Sequence, residues 1–167
     1  PQRRARSQTR FSPVSPAIKI VGTGLIGTSL GLALARKGVI ASLSEHSKTN
    51  LRLAIEYGAG IESSDEPDVV IVCVPPDLTA KVICEQLAEH KNAVVTDVAS
   101  VKVSIANEVQ LQAASDSARY IGSHPMAGRE TAGPKGARAD LFFARPWVIT
   151  PNETSSSARL ELVTELA

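Results

Sequence analysis

The sequence predicts an α/β fold in which helices cover both faces of a doubly wound, mostly parallel sheet. Three observations carry this prediction. Short apolar segments rich in β-branched residues alternate with segments of helical periodicity along the chain. The segment VVIVCV at residues 69–74 is continuously apolar, as in strands buried on both faces of a parallel sheet. A glycine-rich turn also joins the first predicted strand to the first predicted helix.

Each predicted strand is a short apolar run, and several of these runs stop at a turn signal. Gly22 follows the first run, and the pair Pro75 and Pro76 ends the third, because proline cannot continue a buried ladder. The predicted strands cover residues 18–21, 42–44, 69–74, 93–96, 120–122 and 147–150.

Most predicted helices have a start or stop signal of their own. Gly38 and Gly58 follow the first two helices, and glycine commonly closes a helix in the left-handed conformation. Asp77 is predicted to cap the third helix with its side chain. The helices are predicted at residues 25–37, 48–57, 78–89 and 101–114.

The chain divides into three parts. Residues 1–16 are a basic leader without acids, which we expect to be a disordered tail, with an organelle transit peptide as the alternative. Residues 17–153 form one α/β domain, in which the glycine- and charge-rich segment 128–138 predicts a mobile loop. Residues 154–167 begin a helix that stops without a cap, so we expect the sequence to be cut short there.

Composition and charge exclude several classes of protein. The net charge is +1, and four arginines lie in the leader, so the remainder is slightly acidic and lacks a basic surface for nucleic acid. No apolar run approaches the ~20 residues that span a membrane. Cys73 and Cys84 lack metal-ligand or redox spacing, and Cys73 lies in a buried apolar run. We therefore expect a cytoplasmic protein without metal, nucleic-acid or membrane partners.

A GxGxxG motif lies between the first strand and the first helix, where such a motif predicts a Rossmann-type dinucleotide site. The first glycine permits the tight turn, the second lets a pyrophosphate approach the backbone, and the third permits close packing of helix on strand. The helix N-terminus supplies amide donors. An ordinary strand–helix turn is the alternative. The predicted cofactor contacts are Gly22, Thr23, Gly24, Leu25, Ile26 and Gly27.

Glu45 follows the second strand, where a dinucleotide domain needs an acid for the adenosine ribose. A carboxylate there accepts both ribose hydroxyls and repels a 2′-phosphate, so NAD is favoured over NADP. His46 and Lys48 nearby are basic or titratable, so NADP remains an alternative cofactor. The alternative role for Glu45 is that of a solvated acid in a loop, without a ligand.

Other candidates lie at the ends of later strands, where ligands of such folds bind. Ser100 and Lys102 follow the fourth strand and are candidate substrate contacts, although a serine at a helix start is more often a cap. His124 follows the fifth strand and is a candidate acid–base group, with a structural role as the alternative. Further candidate cofactor contacts are Val74, Pro75 and Asp97.

Several segments, in their order and spacing, resemble the prephenate dehydrogenase family, including its arogenate-using members. GxGxxG alone is generic, whereas the pairing of D-V-x-S-V-K with H-P-M-A-G is far more specific to this family. The resemblance covers essentially residues 18–167. The segments are VGTGLIGTSLGLALARKG, DVVIVCVPP, VVTDVASVK, SHPMAGRETAGPKGARADLF and RPWVITP.

The resemblance implies an NAD(P)-linked oxidative decarboxylation of prephenate to 4-hydroxyphenylpyruvate, or of arogenate to tyrosine, in tyrosine biosynthesis. His124 would take the proton of the ring hydroxyl, and Ser100 would contact that hydroxyl and orient the histidine. Family members also have a C-terminal helical domain that supplies a carboxylate-binding arginine and usually forms a homodimer. Residues 1–167 do not contain it, so we expect them to be inactive alone.

The loop after H-P-M-A-G departs from part of the family. Arg129 and Glu130 stand where some members have Thr-Glu, so these candidate substrate contacts are not specified by the resemblance. Two other functions remain: another β-hydroxyacid-type dehydrogenase, which would not explain H-P-M-A-G, and an NAD-sensing domain, against which Ser100 and His124 argue.

Overall fold

A computed structural model describes residues 15–167, so the first fourteen residues of the predicted leader lie outside the described residues. The strands are β1 (Ile18–Val21), β2 (Ser42–Ser44), β3 (Val69–Val72), β4 (Val94–Asp97), β5 (Tyr120–Pro125) and β6 (Trp147–Thr150). The helices are α1 (Leu25–Arg36), α2 (Lys48–Glu56), α3 (Pro76–Glu89), α4 (Val103–Gln112) and α5 (Ser157–Leu166).

All six strands form one sheet in the order β2-β1-β3-β4-β5-β6. The first five are parallel, and β6 pairs antiparallel with β5. The chain passes from β1 outward to β2 and then crosses to β3 on the other side of β1. The loops that follow β1 and β3 therefore diverge and leave a crevice at their carboxyl ends. The predicted doubly wound α/β fold is confirmed.

The core consists of two apolar layers, one on each face of the sheet. All four residues of β3 are buried, and successive side chains of a strand point to opposite faces. Val70 and Val72 pack in the layer formed with α3 and α4. Val69 and Ile71 pack in the layer formed with α1 and α2. This arrangement explains why the strand has no polar alternation.

The predicted start of the third helix and the predicted end of the fifth strand are wrong. The third helix begins at Pro76 with Pro75 as N-cap, and Asp77 lies in the first turn without capping it. Proline starts the helix because its φ angle is already helical and its missing N–H has no helical partner at that position. The fifth strand continues to Pro125, because antiparallel pairing with β6 extends it. His124 therefore lies inside this strand, opposite Val148, and not after it.

The segments after β5 are packed against the rest of the domain. The predicted loop 128–138 contains the 3-10 turn Pro134–Gly136, and the Arg138 amide that follows donates to Ser29 Oγ on α1 at 3.0 Å. The predicted last helix exists as α5, and its Val163 is buried against Val94 and Ile121. Among residues 15–167, no helix is long and apolar enough to cross a membrane.

Candidate active site

A cleft of about 510 Å³ opens at the carboxyl ends of β1, β3, β4 and β5. Its walls come from the start of α1, the segment after β3, the β4–α4 loop, and the end of β5 with the loop that follows. The fold thus brings together residues that are far apart in the sequence. The predicted site residues that line it are Gly24, Leu25, Ile26, Val74, Pro75, Ser100, His124, Arg129 and Glu130.

The three glycines of the motif meet different steric conditions. Gly22 has φ +98°, and a Cβ there would lie 2.5 Å from the Cys73 carbonyl oxygen, so the turn requires glycine. A Cβ on Gly27 would overlap the Gly22 carbonyl oxygen. A Cβ on Gly24, in contrast, would meet nothing within 4 Å. The space in front of Gly24 is therefore open to a ligand, and α1 has no acid in its first turn to compete with an anion.

Glu45 lies directly beside the glycine loop, residues 22–27. Its Oε2 accepts hydrogen bonds from the Thr23 amide (2.8 Å) and the Thr23 hydroxyl (3.2 Å), while Oε1 accepts one from the Ser47 amide (3.0 Å). These bonds hold the carboxylate between the ends of β1 and β2. Because a carboxylate has about four lone-pair sites, Oε1 retains capacity for a further donor.

His124 is half-buried in the wall of the cleft, with Nδ1 3.1 Å from the Val98 carbonyl oxygen. A carbonyl oxygen only accepts hydrogen bonds, so Nδ1 carries the proton in this contact. In the neutral ring, Nε2 then holds a lone pair and serves as a proton acceptor. The backbone of the β4–α4 loop thus selects the tautomer that a general base on this strand needs.

Ser100 is exposed and lines the same cleft. It does not cap a helix, because α4 begins at Val103 and its N-cap residue is Lys102. The capping alternative is therefore wrong, and the hydroxyl of Ser100 remains available to a ligand.

Asp97, the last residue of β4, and Lys102, which follows that strand, do not line the cleft. Asp97 is fully buried, and its carboxylate is bound by the Ala99 amide, the Lys102 ammonium and the Tyr120 hydroxyl. Lys102 Nζ also donates to the Ser123 carbonyl oxygen. Both side chains are engaged in this cluster and lie outside the cleft lining, so the geometry does not support the predicted contacts of Asp97 with cofactor and of Lys102 with substrate.

Sequence reasoning assigned no role at the site to Tyr120, Ser123 or Cys73, nor to the Val98 carbonyl oxygen that His124 Nδ1 contacts. Tyr120 and Ser123 belong to the buried polar cluster around Asp97, and their signal was a polar side chain within a buried strand. Cys73 lines the cleft, but burial raises the pKa of its thiol, and the charge of Asp97 raises it further. This thiol is therefore a poor nucleophile. Among residues 15–167, no group of side chains is arranged to hold a metal ion.

The sequence pattern of the family described as "Prephenate dehydrogenase, nucleotide-binding domain" matches residues 30–167. The chain is 41% identical over 151 residues to a probable prephenate dehydrogenase, NovF, of Streptomyces niveus, covering 88% of this chain and 41% of that protein. The crystal structure of Synechocystis arogenate dehydrogenase is similar with a TM-score of 0.80 and 29% identity, over 90% of this chain and 55% of that one.

A prephenate dehydrogenase from Aquifex aeolicus, solved with hydroxyphenyl propionate and NAD+, shares the fold. Its TM-score is 0.80 at 23% identity, over 93% of this chain and 57% of that one. The chain thus spans about half the length of the relatives that it matches.

Proposed function

Because the chain belongs to the prephenate dehydrogenase family, we propose that it is the dinucleotide-binding part of an NAD-dependent enzyme that oxidatively decarboxylates prephenate or arogenate. One observation carries this proposal. His124, with Nε2 free to accept a proton, and Ser100 line the same cleft as the start of α1 after the glycine loop. That arrangement places a general base and a hydroxyl group beside a dinucleotide-type binding loop.

The glycine loop and Glu45 fit NAD. The open space at Gly24, the uncompensated N-terminus of α1 and the carboxylate of Glu45 match a pyrophosphate followed by a ribose. NAD+ was found in the Aquifex relative. When bound, the nicotinamide ring accepts a hydride. We place the adenosine ribose at Glu45, whose negative charge would repel a 2′-phosphate.

The chain's own residues are proposed to hold and move the proton. His124 Nε2 accepts the proton of the ring hydroxyl as that carbon becomes a carbonyl, and Ser100 orients the hydroxyl. The hydride goes to the cofactor, the proton goes to His124, and carbon dioxide leaves from the opposite ring carbon. Loss of these three groups makes the ring aromatic. Neutral imidazole suits this role, because its unprotonated ring nitrogen has a lone pair that can take up the proton.

The loop after β5 is proposed to contact the substrate side chain. Arg129 and Glu130 are exposed and line the cleft, and Arg129 Nη1 donates to the Gly136 carbonyl oxygen at 3.3 Å. Arg129 thus brings a positive charge to the rim, where it could pair with a substrate carboxylate. Prephenate and arogenate differ in this side chain, which carries a keto group in one and an amine in the other.

Assembly and location are part of the proposal. We propose a cytoplasmic enzyme that acts on a small molecule and forms a homodimer through a C-terminal helical domain.

The direct test of the function is a turnover assay of the full-length protein with prephenate and arogenate, each with NAD and NADP. Activity only on other β-hydroxyacids, or NAD binding without turnover of either substrate, would contradict the proposal.

Glu45→Ser is expected to erode the preference for NAD over NADP. Loss of a charge-assisted contact to the ribose would weaken NAD by roughly 1–3 kcal/mol, whereas removal of the negative charge would favour NADP. Kinetics with both cofactors would measure the ratio of kcat/KM. Glu62→Ser, an exposed acid away from the glycine loop, is the control. An unchanged cofactor ratio in Glu45→Ser would mean that this residue is only a loop acid.

Gly27→Ala is expected to destabilise the domain, although glycine-to-alanine changes inside helices normally stabilise them by up to ~1 kcal/mol. The new Cβ would overlap the Gly22 carbonyl oxygen, and such overpacking costs about 1–3 kcal/mol. Gly31→Ala is a matched control, because its Cβ would overlap the Ala59 carbonyl oxygen away from the glycine loop. Denaturant unfolding should show that both variants lose stability. NAD titration should show a loss of affinity only in Gly27→Ala, because only there does the glycine loop have to shift. Equal NAD affinity in the two folded variants would contradict the assignment of this loop.

A further inference from the structure

A buried polar cluster lies behind the wall of the cleft, and the proposed reaction does not use its charged groups. The Asp97 carboxylate is 0% exposed; Oδ1 accepts from the Tyr120 hydroxyl at 2.9 Å, and Oδ2 accepts from the Ala99 amide at 3.0 Å and from the Lys102 ammonium. A buried carboxylate is costly unless donors surround it. Removal of any one donor would therefore disturb the whole cluster.

Lys102 joins the two strands that carry the site. Its Nζ donates both to Asp97 at the end of β4 and to the Ser123 carbonyl oxygen of β5, the latter at 2.8 Å. Ser123 Oγ in turn donates to the Asp97 backbone carbonyl oxygen at 2.7 Å. The two strands are thus tied together one residue before His124. Lys102 has two of its three donors committed within the protein, which leaves little capacity for a substrate.

The cluster reaches His124 through the backbone of Val98. The bond from the Ala99 amide to the Asp97 side chain closes a tight turn around Val98. The Val98 carbonyl oxygen in this turn is the acceptor for His124 Nδ1. Both ends of that hydrogen bond are therefore anchored on the cluster: Val98 through Asp97, and His124 through Ser123.

We propose that Asp97 and Lys102 form a buried clamp that positions the Val98 carbonyl oxygen and so holds His124 in its Nδ1-protonated tautomer. The proposal rests on the function of His124 proposed above, but it concerns positioning residues that touch neither cofactor nor substrate. It replaces the expectation that Lys102 binds substrate. If Lys102 bound substrate, its replacement would mainly raise KM. If Lys102 belongs to a clamp, its replacement would lower kcat and change the tautomer of His124.

The test uses the full-length protein with two variants, Lys102→Met and Tyr120→Phe. Lys102→Met removes the charged partner of Asp97, and Tyr120→Phe removes only one hydroxyl donor, so it remains informative if the first variant does not fold. Lys19→Met is the matched control, because the side chains of Lys19 and Lys102 are 15% and 16% exposed. Lys19, on β1, pairs with Glu89 and His90 at the C-terminal end of α3, and none of the three lines the cleft.

Nitrogen-15 NMR of the imidazole rings reads the tautomer directly. The chain has three histidines, so His124→Asn identifies the signal of His124 by its loss. In the wild type, Nδ1 is expected to be protonated. In both clamp variants, the Nε2-protonated form should appear and kcat should fall by about 10–100-fold, the usual effect of losing a group that orients a histidine. NAD affinity should stay at the wild-type value in both variants. The control Lys19→Met should keep the wild-type tautomer of His124 and the wild-type kcat.

Two results would overturn the proposal. One is an unchanged His124 tautomer in the folded Lys102→Met and Tyr120→Phe proteins. The other is a raised KM at unchanged kcat in Lys102→Met, which would make Lys102 a substrate ligand after all. Normal turnover of His124→Asn would refute the catalytic role of His124, but the tautomer measurement would still decide whether the clamp exists. The two failures are therefore distinguishable.

Discussion

His124→Asn in the full-length enzyme is expected to lower turnover by about 10²–10⁴-fold, the usual contribution of one positioned acid–base group. Asparagine keeps a polar side chain but does not take up a proton. NAD affinity should barely change, because the proposed cofactor contacts are on the glycine loop and at Glu45, whereas His124 lies on β5. Steady-state turnover and calorimetric titration of NAD would measure the two quantities separately.

The pH dependence provides a second readout of the same substitution. A general base works only when it is neutral, so the wild-type rate should fall on the acid side, where imidazole becomes protonated. This acid limb should vanish in His124→Asn. His90→Asn is the matched control, because His90 lies at the C-terminal end of α3 outside the cleft lining, where Glu66 and Lys19 contact its ring. If His124→Asn retains near-normal turnover with the same acid limb, the imidazole is structural.

Residues 1–167 on their own are expected to bind NAD weakly or moderately and to show no measurable turnover. The described residues include the glycine loop, Glu45, Ser100 and His124, which are the proposed cofactor and proton-transfer groups. The chain covers 41% of the Streptomyces relative. We propose that the substrate-carboxylate arginine lies in a further domain of the full-length protein. Substrate should therefore lack one of its main anchors, and orientation contributes several powers of ten to a rate.

Calorimetry with NAD and a turnover assay on the same preparation would test this expectation. The full-length protein is the positive control. Addition of prephenate should not alter NAD binding by residues 1–167 if the substrate anchor lies elsewhere. Full activity of this piece would show that the substrate site is complete within it.

Much of the fold was predictable because it depends on local patterns. The continuous apolar run at 69–74 indicated a strand buried on both faces, and Gly38 and Gly58 indicated helix ends that the structure places with φ near +80°. The glycine motif carried its own context of strand, turn and helix. The predicted start of the third helix was wrong because two helix-start signals, an acidic cap and a proline at the first position, stand side by side. Asp77 was a reasonable cap by composition, but proline at the first helical position started α3 at Pro76, two residues before the predicted start at residue 78.

The sequence by itself determined the order of strands and helices, the glycine loop, and the candidacy of Glu45, Ser100 and His124, because periodicity and motif spacing are local properties. Only the tertiary structure decided which side chains after β4 face the cleft. Ser100 does, whereas Asp97 and Lys102 turn inward and pair with Tyr120 and Ser123 of β5. That outcome depends on which strands are neighbours and on the cost of burying a carboxylate without partners. Local sequence patterns determine neither of these.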